Sequence, residues 1–280
     1  MTSTFVRPQA PWALRLVPPL PAFAQRILAL ASQEDVSAQQ VSELTRMDPS
    51  FSAELLRVAN SALFGVRREV TSLSQAIVIV GMDRVRSMAM LLCVNKMVRS
   101  SLRIQALRRV WQHSVATAIL CEESARAAGL PRDEAYTAGL LHNLGSLGLM
   151  SAYPDEYARM LQVSDDYGFD LLKTERDLFE IDHCAAGAYL AQDWDFPDEL
   201  AATLATHHDE PEAGVYSMDN IVRICWRLAD SLGFAAFSPA RVWRAGELLD
   251  LAPALRGGWL GGTEEELRSA LQERLKESPI

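Results

Sequence analysis

All five histidines of the chain lie from position 113 onward, in contexts that suit metal chemistry. They are His113 in WQHS, His142 in GLLHNLG, His183 in IDHC, and His207 and His208 in THHDE, and Asp230 follows in RLADSLG. Imidazole nitrogens and a carboxylate gathered from several helices form mono- or dinuclear manganese, iron or zinc centres. The alternative is that the imidazoles are hydrogen-bonded packing residues, two of them at a helix C-terminus where the dipole favours a cation.

Other catalytic motifs are missing from the sequence. Ser114 follows a histidine but has no GxSxG elbow, and neither a Walker A loop nor a dinucleotide fingerprint occurs. The four cysteines, Cys93, Cys121, Cys184 and Cys225, form no CxxC pair and lie in apolar helical segments. We therefore expect buried free thiols.

The composition is that of a soluble globular protein. The chain has 280 residues, of which 49% are hydrophobic and 22% charged, and no apolar run approaches the roughly 20 residues that a membrane helix needs. Prolines interrupt the N-terminal stretch where a signal peptide would be continuously apolar, so we expect a cytoplasmic location. Residues 1–100 carry 11 Lys and Arg against 7 Asp and Glu, whereas the remainder carries 16 against 29. This acidic balance disfavours nucleic acid as a partner.

The hydrophobic pattern is helical along almost the whole chain. Ser37 with Gln40 predicts a capping box, and Asp48 with Pro49 predicts the start of the next helix. The run AIVIV at 76–80 is rich in β-formers, but helical segments flank it, so we predict a helix there as well. Longer helices are predicted over 105–128, 133–144, 154–167, 171–179, 183–193, 197–207 and 218–232.

Several separated motifs and the order of the histidines resemble one known family. The order His, His-Asn, His, His-His, Asp is similar to the ligand order of the HD superfamily of metal-dependent phosphohydrolases. The segments VPPLPAFAQRILAL, DPSFSAELLRVANSALFG, SLSQAIVIVGMDRVRSMAM and DHCAAGAYLAQDWDFPDELAATLATHH resemble its HDOD branch, the HD-related output domains of bacterial signalling proteins. The resemblance extends from about Leu16 to Phe234.

The resemblance implies an all-α fold, a two-lobed helical bundle with an HD-like second lobe. We place an N-terminal helical lobe at 10–100 and the HD-like lobe at 101–235. Accessory helices fill 236–280, one begun by Ser238-Pro239 and one by a capping box of Thr263 and Glu266.

Departures from the hydrolase pattern bear on function. Asn143 stands where active HD enzymes have a metal-binding aspartate, and Ser146 stands where relatives that hydrolyse cyclic di-GMP have a lysine. No GYP-like sequence follows HHDE. An amide lacks the charge of a carboxylate, and serine offers no cation to a phosphate.

The resemblance therefore implies a regulatory, non-catalytic module of bacterial signal transduction that binds a protein partner or a small ligand such as a nucleotide. No cofactor is expected for that role, and neither nucleic acid nor membrane is an expected partner. The alternative is a metal-dependent phosphohydrolase of nucleotides or cyclic dinucleotides. In either case a vestigial or working Mn, Fe or Zn site would use one residue set, which is His113, His142, Asn143, His183, His207, His208 and Asp230.

Overall fold

The computed structural model describes residues 10–31, 37–61, 64–66, 68–237 and 241–277. These residues form fifteen α-helices and no β-strand, which confirms the predicted all-α class. The helices are α1 (Ala22–Ala31), α2 (Ala38–Thr45), α3 (Pro49–Ala59), α4 (Leu73–Val80), α5 (Met82–Val98), α6 (Gln105–Ala128), α7 (Arg132–Leu141), α8 (Leu144–Ala152), α9 (Pro154–Tyr167), α10 (Leu171–Phe179), α11 (His183–Asp193), α12 (Asp198–Thr206), α13 (Met218–Ala229), α14 (Ala245–Leu251) and α15 (Glu264–Glu277).

Local signals in the sequence start the helices before residue 100. Ser37 and Gln40 form the predicted capping box of α2. Asp48 accepts a hydrogen bond from a backbone N–H of α3, and Pro49 is the first residue of that helix. The run AIVIV lies in α4, where Ile77 is buried and the helix packs on α2 and α3. Packing of this apolar face overrides the strand preference of its β-branched residues.

The side chain of Asn60 fixes the path of the chain after α3. Its amide nitrogen donates to the carbonyls of Leu56 and Val70, each at 2.9 Å. Its amide oxygen accepts from the backbone N–H of Val70 at 2.7 Å. Asn60 thus clasps the end of one helix to the segment that leads into the next.

The long helix α6 is the centre of the second half, with α7 and α13 packed along it. The predicted helices over 105–128, 154–167, 171–179 and 183–193 are confirmed with those bounds. The helix predicted over 133–144 is confirmed as α7, but it ends at Leu141, because the chain turns at His142 and Asn143 before α8. The ring of His142 bonds the carbonyl of Gly139 and so takes up one of the unpaired carbonyls at the end of α7.

Two glycines allow close packing beneath that turn. A Cβ on Gly145 of α8 would collide with the backbone carbonyl of His183 and lie 2.6 Å from the backbone nitrogen of Gly187. A Cβ on Gly139 would lie 2.8 Å from the Cα of Ala118 in α6. Both glycines therefore bring α7 and α8 against the helices that carry His113 and His183.

The buried side chains form one continuous core that reaches from Ala13 to Leu271. The division at residues 100 and 235 therefore stays a prediction. The Thr263–Glu266 capping box is confirmed at the start of α15, whereas Ser238-Pro239 lies outside the described residues. The four cysteines are buried and free, as predicted. Within the described ranges, no helix combines the length and apolar character required to cross a membrane.

Candidate functional site

Five helices, α6, α7, α8, α11 and α12, bring the predicted histidines together. His113 lies in the middle of α6, and His142 lies in the turn between α7 and α8. His183 is the first residue of α11, and His207 and His208 follow α12. The rings form a connected cluster, with centroid distances of 5.3 Å for His113–His142, 5.2 Å for His142–His207, 5.2 Å for His183–His207, 4.9 Å for His183–His208 and 4.6 Å for His207–His208. We call these five imidazoles the histidine centre.

Three rings of the histidine centre are held by backbone carbonyls through Nδ1. Nδ1 of His113 lies 3.0 Å from the carbonyl oxygen of Phe234. Nδ1 of His142 lies 2.6 Å from that of Gly139, and Nδ1 of His207 lies 2.8 Å from that of Leu204. A carbonyl only accepts, so each Nδ1 carries the proton. In the neutral ring Nε2 then keeps a free lone pair, which is the tautomer that binds a metal through Nε2.

Burial keeps most of these rings neutral. It lowers the pKa of His113 to about 4 and holds the pKa values of His142, His207 and His208 well below the ordinary value. Neutral imidazole is the form that binds a metal ion. The electrostatics of these four rings therefore favour ligand histidines over surface cations.

The fourth ring, His183, is held by a carboxylate that the sequence analysis missed. Glu175 of α10 is fully buried and accepts from His183 Nδ1 at 2.7 Å and from the His183 backbone N–H at 2.8 Å. Its other oxygen accepts from the hydroxyl of Tyr157 at 2.6 Å. Burial disfavours the imidazolium, but the carboxylate beside it holds the pKa of His183 well above its ordinary value.

A signal for Glu175 was present in the sequence. It lies four residues after Leu171 and four before Phe179, which are both buried, so a carboxylate interrupts the apolar face of α10. A charged residue at such a position needs a buried partner. Here the partners are Tyr157 and His183.

Two ring nitrogens, from His207 and His208, lie near Nε2 of His183 at metal-ligand spacing. Nε2 of His183 lies 3.3 Å from Nε2 of His207 and 3.0 Å from Nε2 of His208. Nitrogens about 2.0–2.1 Å from a tetrahedral ion are about 3.4 Å apart, so this donor set fits such an ion with small adjustments. Cys184 joins the same set, in which all ligand atoms lie within 4.8 Å of one another. The carboxylate–histidine pair of Glu175 and His183 is the outer support that metal-bound histidines commonly have.

The remaining predicted residues lie outside this tight set. Nδ1 of His113 is 3.3 Å from Oδ1 of Asp230, and burial raises the pKa of Asp230 to about 8, which the nearby Arg227 opposes. Asn143 is 1% exposed, and neither polar atom of its amide has a hydrogen-bond partner among the described residues. A buried amide without partners is costly, so Asn143 is a polar group that the fold itself does not satisfy.

Helix α13 closes the centre from one side. The indole nitrogen of Trp226 donates to the carbonyl of His207 at 2.7 Å, and Arg227 donates to the carbonyl of His208 at 2.8 Å. Burial lowers the pKa of Arg227 to about 10, and its guanidinium lies over the Trp226 ring at 4.4 Å. Both residues therefore fix the backbone that carries the paired histidines.

A cavity of about 210 Å³ gives access to the centre. His208 and Asp230 line it, together with Trp226, Arg227 and Arg241 among others. Two guanidinium groups and aromatic rings are groups that bind a planar or anionic small molecule.

An all-helical fold that gathers five histidines from several helices is the architecture that the HD resemblance implied. Residues 17–210 match the family model described as the HDOD domain, and the chain belongs to this family. An HDOD domain protein of unknown function from Geobacter sulfurreducens has a similar structure, with a TM-score of 0.65, 21% identity and coverage of 93% of this chain and 90% of that one.

Two further relatives are similar at 26% identity. A candidate phosphohydrolase from Shewanella amazonensis SB2B has a TM-score of 0.63, with 94% of each chain covered. An uncharacterized protein of Treponema pallidum (strain Nichols) matches over 202 residues, which are 70% of this chain. The present chain spans only 38% of the length of that curated relative.

Proposed function

We propose that this chain is a regulatory, non-catalytic HDOD module of a cytoplasmic bacterial signalling pathway, whose histidine centre retains a divalent metal ion. The observation that carries the proposal is Asn143, a buried amide that has no hydrogen-bond partner within the described ranges and lies beside a set of ligand-like histidines. An amide is neutral and does not bridge two metal ions as a carboxylate does.

The missing charges would weaken hydrolysis at two points. Without the carboxylate the site would hold a catalytic metal ion less well, and the buried Ser146 offers no cation to a phosphate. Metal-bound water activation and electrostatic stabilisation are each worth several kcal/mol of activation barrier in typical enzymes. Loss of both favours binding over turnover.

A manganese, iron or zinc ion would be held by His183, His207 and His208, with Cys184 within reach and Glu175 orienting His183. Such an ion would supply Lewis acidity and a cross-link between the start of α11 and the end of α12. In a regulatory module the cross-link is the useful property, because it ties the packing of two helices to metal occupancy.

The second candidate function is a metal-dependent phosphohydrolase of nucleotides or cyclic dinucleotides. The cavity beside His208 and Asp230 supports it, because Arg227 and Arg241 could bind a phosphate there. The relative from Shewanella amazonensis carries a phosphohydrolase name at 26% identity. In this reading Asn143 would still allow metal-dependent cleavage.

Elemental analysis and a phosphodiesterase assay together test the proposal. The protein is purified without a histidine tag from medium containing Mn, Fe and Zn. We expect about one metal ion per chain, lost in His208→Ala and retained in Cys225→Ser, a buried cysteine outside the site. We also expect no cleavage of cyclic dinucleotides or nucleotides by the metal-loaded wild type.

The double variant Asn143→Asp with Ser146→Lys is the gain-of-function control. Cleavage that appears only in this variant supports a degenerate hydrolase site. Cleavage by the wild type overturns the non-catalytic proposal, and metal far below one ion per chain overturns the metal-binding part of it.

A further inference from the structure

A second and larger cavity, of about 720 Å³, lies between α5 and helices α7, α12 and α13. It shares no lining residue with the cavity above the histidine centre. Its apolar floor includes Met90 of α5, Ala138 of α7 and Leu200 of α12, all buried, with Met218 partly exposed at one side. We call this cavity the interhelical groove.

The rim of the interhelical groove is acidic. Asp83, Glu134, Glu199 and Asp219 line it, each in the first turn of a different helix, and Arg86 is the basic residue among the lining side chains. The side chains of Asp83, Glu134 and Glu199 make no hydrogen bond or ion pair with the part of the chain that the structure describes. Asp219 lies 3.5 Å from an arginine of its own helix.

This charge distribution selects among ligands. Four helix N-termini alone would attract an anion, each with about half a positive charge. Asp219 is paired with Arg223, so the free carboxylates of the rim are the exposed Asp83, Glu134 and Glu199, which outnumber Arg86 three to one. A ligand that approaches the rim meets these full side-chain charges, whereas the partial charges of the helix ends lie on the backbone. A phosphate or nucleotide is therefore disfavoured, and a cation is favoured.

We propose that the interhelical groove is the docking site for a cationic amphipathic helix of a partner protein. Apolar side chains spaced at i, i+3 and i+4 would fill the floor, and flanking lysines or arginines would pair with the rim. A volume of about 720 Å³ holds several side chains, which a simple metal cation or small amine would leave largely empty.

The position of the groove explains how docking would reach the histidine centre. Thr137 on its wall belongs to α7, which ends next to His142. Thr206 belongs to α12 and immediately precedes His207. A helix seated in the groove would thus press on both helices that deliver these two imidazoles. The inference rests on the proposed regulatory role, but peptide binding is measured without metal or substrate, so the two proposals fail separately.

Selection from a displayed random library of peptides about 16 residues long, roughly four helical turns, tests the proposal. The full chain is the bait, and Ala202→Trp is the counter-selection bait. Ala202 is exposed on α12 and lines the groove, so tryptophan there fills the opening without entering the core. We expect enriched peptides with lysine or arginine around apolar residues at helical spacing, and binding that weakens with added salt.

Charge-matched variants identify the rim as the contact. A triple variant, Asp83→Asn with Glu134→Gln and Glu199→Gln, should bind an enriched synthetic peptide about tenfold more weakly than the wild type does, as expected for the loss of three partly screened ion pairs. The control replaces three exposed acids elsewhere, Glu43→Gln with Glu265→Gln and Glu273→Gln, and should leave affinity unchanged.

Several outcomes would overturn the proposal. One is that no peptide is enriched over the Ala202→Trp bait, and another is that enriched peptides are acidic or uncharged. Displacement of the peptide by equimolar spermine would point to a small-cation site. Concentration-dependent self-association of the wild type that Ala202→Trp abolishes would make a second copy of the chain the occupant.

Discussion

Replacing Glu175 with alanine should be among the most destabilising single changes that this fold can undergo. The carboxylate accepts from the Tyr157 hydroxyl and from both the backbone N–H and the ring of His183, at 2.6 to 2.8 Å. Each stranded buried donor costs about 1–3 kcal/mol. Breaking a buried charge pair by removing one partner costs about 3–5 kcal/mol, and we expect a loss of stability in that range for Glu175→Ala.

Urea unfolding of chelator-treated protein, followed by circular dichroism and tryptophan fluorescence, measures the effect. Tyr157→Phe removes only one of the three bonds and should lose about 1–3 kcal/mol, which keeps the test informative if the alanine variant does not fold. Asp177→Ala, an exposed carboxylate on the same helix, should change the free energy of unfolding by less than about 0.5 kcal/mol. A loss below about 1 kcal/mol for Glu175→Ala, at unchanged urea dependence, would refute the argument.

Three further changes test the packing, a polar clasp and a buried thiol. Gly145→Ala should lower the free energy of unfolding by about 3 kcal/mol or more and reduce the metal content, because the new methyl group collides with the His183 carbonyl. The control Gly246→Ala places its methyl group where no atom lies within 4 Å, and thermal unfolding should show no change or a slight stabilisation. Asn60→Ala should lower the free energy of urea unfolding by about 1–3 kcal/mol through its lost bonds, and a change under about 0.5 kcal/mol would contradict the clasp. Burial raises the pKa of Cys93 to about 12, so the Cys93 thiol should resist iodoacetamide at pH 8 in the native protein and react after unfolding. The thiol of the unfolded chain ionises first, so the free energy of unfolding should fall as the pH rises above about 9.

Local signals account for most of the fold that could be predicted. Capping residues, such as Ser37 with Gln40, and apolar periodicity are short-range properties, and α6, α9, α10 and α11 lie where they indicated. The end of α7 at Leu141 and the separate helix α8 escaped prediction, because they depend on a side-chain bond from His142 and on close packing of neighbouring helices. Neither is visible in the apolar pattern of the segment.

The candidate site was predictable in its residue types and order, but its inner geometry was not. His183, His207 and His208 could be named from the sequence, yet which nitrogens face one another depends on the backbone carbonyls and on Glu175. No sequence pattern predicted the interhelical groove, because its acidic residues are of the kind that commonly occurs in the first turn of a helix. Long-range convergence of helices is what sequence spacing alone does not specify.

The hydrogen bonds from α13 to the backbone of His207 and His208 have a consequence for protein engineering. The family match ends at residue 210, whereas Trp226, Arg227 and the Phe234 carbonyl all hold rings or backbone of the histidine centre from beyond that point. A chimera cut at the family boundary would transplant the imidazoles without the scaffold that orients them. Fusion junctions should therefore fall after residue 234, and shorter grafts would report on a dismantled site.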